Sequence, residues 1–115
     1  MKKAKTSRRF RTIKGLRVGV ENWARKLEVK PTQIRIQAMK RKWASCSPIG
    51  WISLSAELLR QPRPFQDYVI VHELLHIAIP NHGKLFKCLM TVHLPNWETV
   101  RSGRRGSRPS NARLR

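Results

Sequence analysis

Between Pro64 and Pro80 the chain reads FQDYVIVHELLHIAI, a run of fifteen residues with proline at each end. The run fits a helix from about Phe65 to Ile79. Pro64 loses no hydrogen bond as the first helical residue, and Pro80 cannot continue the helix. Phe65, Tyr68, Val69, Ile70, Val71, Leu74, Leu75, Ile77 and Ile79 occupy nearly the whole circumference. Only Gln66, Asp67, His72, Glu73 and His76 interrupt them. A helix that is apolar all round belongs at the centre of a fold, so the remaining elements must wrap it.

Those elements are readable from their periods. Ile13, Leu16, Val20, Trp23 and Leu27 step by three or four, which predicts an amphipathic helix ending before Pro31. In QIRIQAM, Ile34, Ile36 and Ala38 alternate with polar residues, as in a half-buried strand. KWASCS and WISLS flank Ser47-Pro48-Ile49-Gly50, where proline second and glycine fourth fit a type I turn and hence a hairpin. After a turn at Asn81-His82-Gly83, KLFKCLMTVHL predicts another helix up to Pro95. The order of one helix, three short strands and two helices implies an α+β fold with a small three-stranded antiparallel sheet. At 115 residues the chain suits a single domain, placed at residues 13–100. Residues 1–12 read as a basic flexible arm, and 101–115 as a flexible tail rich in Arg, Gly and Ser.

Charge is distributed unevenly around that domain. The formal charge is +19, with 25 Lys and Arg against 6 Asp and Glu. Residues 1–42 hold 15 basic and 2 acidic side chains, residues 43–100 hold 4 of each, and residues 101–115 hold 6 basic and none acidic. Such ends attract polyanions, so nucleic acid is the expected partner of the basic termini, with simple solubilisation as the alternative. No base-reading motif is present. No stretch approaches the ~20 apolar residues of a membrane span, and the basic N-terminus is not followed by an apolar segment of secretory length. A cytoplasmic location is the default. Cys46 and Cys88 form no CxxC pair, which excludes a zinc knuckle and gives no disulfide framework.

The chemistry lies in the neutral middle. His72 and His76 are one helical turn apart, so their imidazoles share a face and can converge on a Zn2+ ion at about 2.0–2.1 Å. Glu73 points about 100° further round the axis, toward a metal-bound water rather than into the metal's own shell, and is the candidate general base. Two buried histidines and a glutamate are costly without such a partner. The third ligand is assigned to His82, delivered by the turn after Pro80, with Glu98 as the competitor. His93 reads as structural or exposed, Cys46 as an inert thiol, and Trp43 and Trp51 as packing. The strand GWISLS is a candidate to pair with an extended substrate by edge addition.

The segment WARKLEVKPTQIRIQAMKRKWASCSPIGWISLSAELLRQP, followed by DYVIVHELLHIAIPNHGKLF, resembles the YgjP-like metallopeptidase domain, a zincin-like family. Its members pair an R-x-W-G-S-C-S strand motif with H-E-L-x-H-x-x-x-x-N-H. The likeness runs from about residue 16 to residue 100. It implies a minimal zincin-like core, zinc held by His72, His76 and His82, Glu73 as catalytic base, and a peptide or protein substrate. Ala44, Ser55, Gly83 and Lys87 depart from the residues usual in the family, but none is a ligand or the base.

Two further functions compete with a zinc metallopeptidase. One is a metal-dependent RNA or nucleotide phosphohydrolase that grips phosphates with its basic arms. The other is a non-catalytic nucleic-acid-binding protein with a structural metal. Glu73 favours base-assisted peptide hydrolysis, because YbeY-type endoribonucleases share the three-histidine spacing but carry glycine at that position. The sequence carries no signal of oligomeric state.

Overall fold

A computed structural model of the chain describes residues 8–79 and 82–102. The remainder of the arm, Pro80 and Asn81 of the turn, and the tail beyond Ser102 lie outside the described residues.

Helix α1 (Ile13–Leu27) begins where the Oγ1 of Thr12 accepts the Gly15 N–H at 2.9 Å. That hydroxyl satisfies one of the amides a helix start leaves open. Leu16, Val20 and Ala24 turn inward, while Lys14, Glu21, Arg25 and Lys26 face solvent. Glu28 ends the helix in the left-handed region at φ 59°, with its N–H donating to the Ala24 and Arg25 carbonyls. Ahead of the helix, residues 8–12 lie against the domain rather than away from it. Phe10 exchanges two hydrogen bonds with the Gln66 side chain, at 2.8 and 3.0 Å.

Strands β1 (Gln33–Gln37), β2 (Ala44–Cys46) and β3 (Trp51–Ser55) form one sheet in the order β1-β3-β2. The hairpin of β2 and β3 is antiparallel, closed by the Gly50 N–H donating to the Ser47 carbonyl at 3.1 Å. Gly50 sits at φ +90°, where a side chain would be strained. The expectation of a wholly antiparallel sheet is corrected here, because β1 pairs with β3 in parallel, Gln33 opposite Trp51 and Gln37 opposite Ser55. The hairpin has already taken one edge of β3. Residues 38–43 then cross the end of that strand, where the Ser55 hydroxyl donates to the Met39 carbonyl and the Ser55 N–H to that of Trp43. With β3 flanked on both sides, edge addition by a substrate has only β1 or β2 available among the described strands.

A 3-10 turn (Ala56–Arg60), capped by Ser55, leads into α2 (Arg63–Ala78), with Pro64 one residue inside. Ten of its sixteen residues are buried. Helices α3 (Lys84–His93) and α4 (Trp97–Ser102) close the domain. α4, like the 3-10 turn, was not expected from the sequence. Around α2 pack Leu16 and Val20 of α1, Trp43, Ile52 and Leu54 of the sheet segment, Phe86 and Met90 of α3 and Trp97 of α4.

Candidate metal centre

The site is built on the second half of α2. One helical turn brings the His72 and His76 ring centroids to 4.9 Å, at 76° between planes. His82, beyond the end of the helix, brings its ring to 5.0 Å from His72 and 4.6 Å from His76. One ring nitrogen from each lies within 4.8 Å of the others, and the Nε2 atoms of His76 and His82 are 2.9 Å apart. His72 is buried, His76 half-buried and His82 exposed, so the cluster opens to solvent on one side. Glu98, exposed on α4, and Cys46, on β2, are not part of it. His93 instead meets Trp23 edge to face at 6.2 Å.

Glu73 is fully buried. Its Oε2 lies 3.2 Å from the Nδ1 of His72, and its Oε1 has no hydrogen-bond partner. An unsatisfied buried carboxylate oxygen costs several times more than an ordinary hydrogen bond contributes. With Nδ1 as the donor, the contact fixes the ring and leaves the Nε2 of His72 for another partner. Three imidazoles and an orphaned carboxylate oxygen form a donor set that suits a divalent ion of the zinc type and its water.

Two aromatic features of the site escaped the sequence reading. Phe86 forms a wall common to all three histidines, its centroid 5.4, 5.0 and 4.8 Å from those of His72, His76 and His82. The one hint was its four-residue spacing to Met90 on the buried side of α3. Tyr68, one turn before His72, lies 5.7 Å from that ring and stacks on Trp97 at 6.4 Å with planes 4° from parallel. Burial pushes the Tyr68 phenol up to about 12, a rise the Arg101 guanidinium opposes and the Glu73 carboxylate reinforces. Tyr68 and Trp97 line a cleft of about 800 Å³ together with Arg63, Leu94 and Val100. The cleft reaches Tyr68, the ring neighbour of His72, and its aromatic and aliphatic lining has the character of a binding site.

A small α+β domain with three convergent histidines on and beside a buried helix has the form of a metal-dependent hydrolase. Comparison with known proteins gives the family directly. The chain belongs to the YgjP-like family, a metallopeptidase domain, which it matches over residues 2–103. Its fold is similar to that of the metallopeptidase zymogen of Methanocaldococcus jannaschii jannalysin, with a TM-score of 0.66 and 23% identity. That likeness covers 76% of this chain and 94% of the jannalysin chain. No curated protein matches the sequence.

Proposed function

We propose that the protein is a zinc-dependent peptidase in which His72, His76 and His82 hold the ion and Glu73 is the general base. One observation carries the reading: three ring nitrogens within 4.8 Å of one another stand beside a buried carboxylate with one oxygen unpartnered. Membership of a metallopeptidase family supports the same reaction class. When bound, zinc supplies Lewis acidity that polarises the scissile carbonyl and lowers the pKa of water toward ~7.

The chain's own residues do the rest. Glu73 Oε1 takes the proton from the attacking water and returns it to the amine nitrogen as the peptide C–N bond breaks. Oε2 meanwhile keeps the His72 ring oriented. Phe86 and the apolar flanks of α2 keep bulk water from the protected side of the cluster. The working unit is residues 13–100. The charge asymmetry supports a further role for the ends, in which the basic arm and tail hold the enzyme on nucleic acid. Among the described residues no helix is long and apolar enough to cross a membrane, and a cytoplasmic setting is part of this proposal.

Zinc analysis joined to an activity assay of wild type and Glu73→Gln tests the assignment. Expected are one zinc per chain in both proteins, with turnover on unfolded protein falling by about 10²–10⁴ in the variant. Loss of zinc from the variant would make Glu73 a ligand instead. Chelator-sensitive cutting of RNA with protein left intact would replace the peptidase by a phosphohydrolase.

A further inference from the structure

The inner and outer faces of the sheet differ in kind. Alternation turns Ile34, Ile36, Ile52, Leu54 and Ala44 toward the helices, where they join or border the core. The same alternation turns Gln33, Arg35 and Gln37 of β1 outward, beside Trp51 and Ser53 of β3. Trp51 is 42% exposed, and the Arg35 guanidinium lies over its ring at 5.5 Å from the centroid. Trp43 and Trp97 are buried, and Trp23 is half-buried with its Nε1 donating to Asp67. Trp51 is thus the most exposed of the four tryptophans, a large aromatic on the outer side of the sheet.

The charge along the strands and their connections has one sign, with the exposed Glu28 and Glu57 just outside them. Residues 30–55 contain Lys30, Arg35, Lys40, Arg41 and Lys42, and no aspartate or glutamate. Lys40 and Arg41 are exposed on the crossing that runs over the end of β3, and Lys30 is exposed just before β1. An exposed ring, a stacked guanidinium, outward amides and a hydroxyl, all rimmed by cations, provide the groups that single-stranded nucleic acid requires. Bases stack on aromatic and guanidinium planes, the backbone follows the positive rim, and amides reach base edges without fixing a sequence.

We propose that the outer face of the sheet, centred on Trp51 and Arg35 with Lys40 and Arg41 at its rim, binds single-stranded nucleic acid. This surface belongs to the folded domain and shares no residue with the basic ends or with the histidine cluster. It stands whether or not the metal centre cleaves peptides.

The test uses the full chain and a labelled twenty-nucleotide oligothymidylate, followed by fluorescence anisotropy across a salt series. Trp51→Ala should bind roughly tenfold more weakly with an unchanged salt slope, because it removes stacking and no charge. Trp51→Phe should recover most of that loss. The double variant Lys40→Ala, Arg41→Ala should instead flatten the slope of log K against log salt by about 0.7 for each phosphate contact removed. Circular dichroism confirms folding of each variant. Should Trp51→Ala fail to fold, tryptophan emission carries the test: the oligonucleotide should quench wild type and leave Trp51→Phe unquenched. The proposal falls if Trp51→Ala binds as wild type does, or if wild type binds no oligonucleotide. It also falls if inorganic polyphosphate of equal charge binds as tightly as the oligonucleotide, or if Trp51→Ala loses only binding to anionic phosphatidylserine vesicles.

Discussion

Helices α1 and α2 are nearly equal in length, at 15 and 16 residues, and opposite in character. α1 buries Leu16, Gly19, Val20 and Ala24 and leaves Lys14, Glu21, Arg25 and Lys26 in water, whereas α2 buries ten residues, including Gln66, His72 and Glu73. On that outer face of α1 a polar side chain needs no explanation, since water satisfies it. On α2 every polar group has to be accounted for. Gln66 makes three hydrogen bonds, and Asp67 accepts from Arg63 and from the Nε1 of Trp23. Oε1 of Glu73 is the buried side-chain atom on this helix left without a partner, and it lies beside the histidines. In a helix where nearly every polar atom is satisfied, the exception marks the chemistry.

The largest effect that tests this contrast is on metal retention. His82→Ala removes one of three ring nitrogens, while His93→Ala removes a ring whose contact is with Trp23. Zinc affinity measured with a competing chelator should fall in the first variant by more than the ~10–100-fold typical of losing an outer-shell partner. It should stay unchanged in the second. Equal losses would mean that the cluster is not the metal centre.

Gln66→Leu comes next, as a pure test of polar satisfaction on α2. The substitution keeps roughly the volume but removes the carboxamide, leaving the Phe10 N–H and carbonyl without their partner. The Leu58 carbonyl still accepts the Gln61 N–H at 3.0 Å. With the lower part of the ~1–3 kcal/mol range for each of these part-buried groups, urea unfolding should show a loss of about 2–4 kcal/mol. Removing the exposed charge of Arg25 or Lys26 on α1 should change stability by no more than about 0.5 kcal/mol. If the two helices respond alike, the contrast between them is wrong.

What the sequence disclosed follows the same division. α1 was legible from its period and α2 from its lack of one, because burial on one side or on all sides leaves those patterns. The spacing of His72, Glu73 and His76 is local geometry, and a helix alone determines it. The parallel partner of β1 was not legible, since Ile34 and Ile36 alternate identically in either orientation. The choice was made by the hairpin and by the hydrogen bonds of Ser55 to Met39 and Trp43, which are contacts between separate segments. α4 is too short to show a period, and it is held by Trp97 stacking on Tyr68. Phe86 joined the site through tertiary packing, since its spacing to Met90 announces burial but not the histidines it meets.

A smaller effect than that of Gln66→Leu lies on α1, where legibility from the period fails at one position. Gly19 occupies the middle of the helix and is buried, although alanine there would favour the helix by about 1 kcal/mol. A Cβ at that position would sit 2.4 and 2.6 Å from two Phe10 ring carbons. The ring cannot easily yield. Its backbone is tied to Gln66, and the Arg63 guanidinium lies 4.1 Å from its centroid. Overpacking of this kind costs about 1–3 kcal/mol, so Gly19→Ala should destabilise the protein by about 1 kcal/mol net of the propensity gain. Combined with Phe10→Ala the clash is gone and only the propensity remains. Adding Gly19→Ala to that background should therefore stabilise by about 1 kcal/mol, read as a shift in the urea midpoint. The reversal of sign is the decisive reading. A loss in both backgrounds would show that the glycine serves the helix itself and not the close approach of the segment that precedes it.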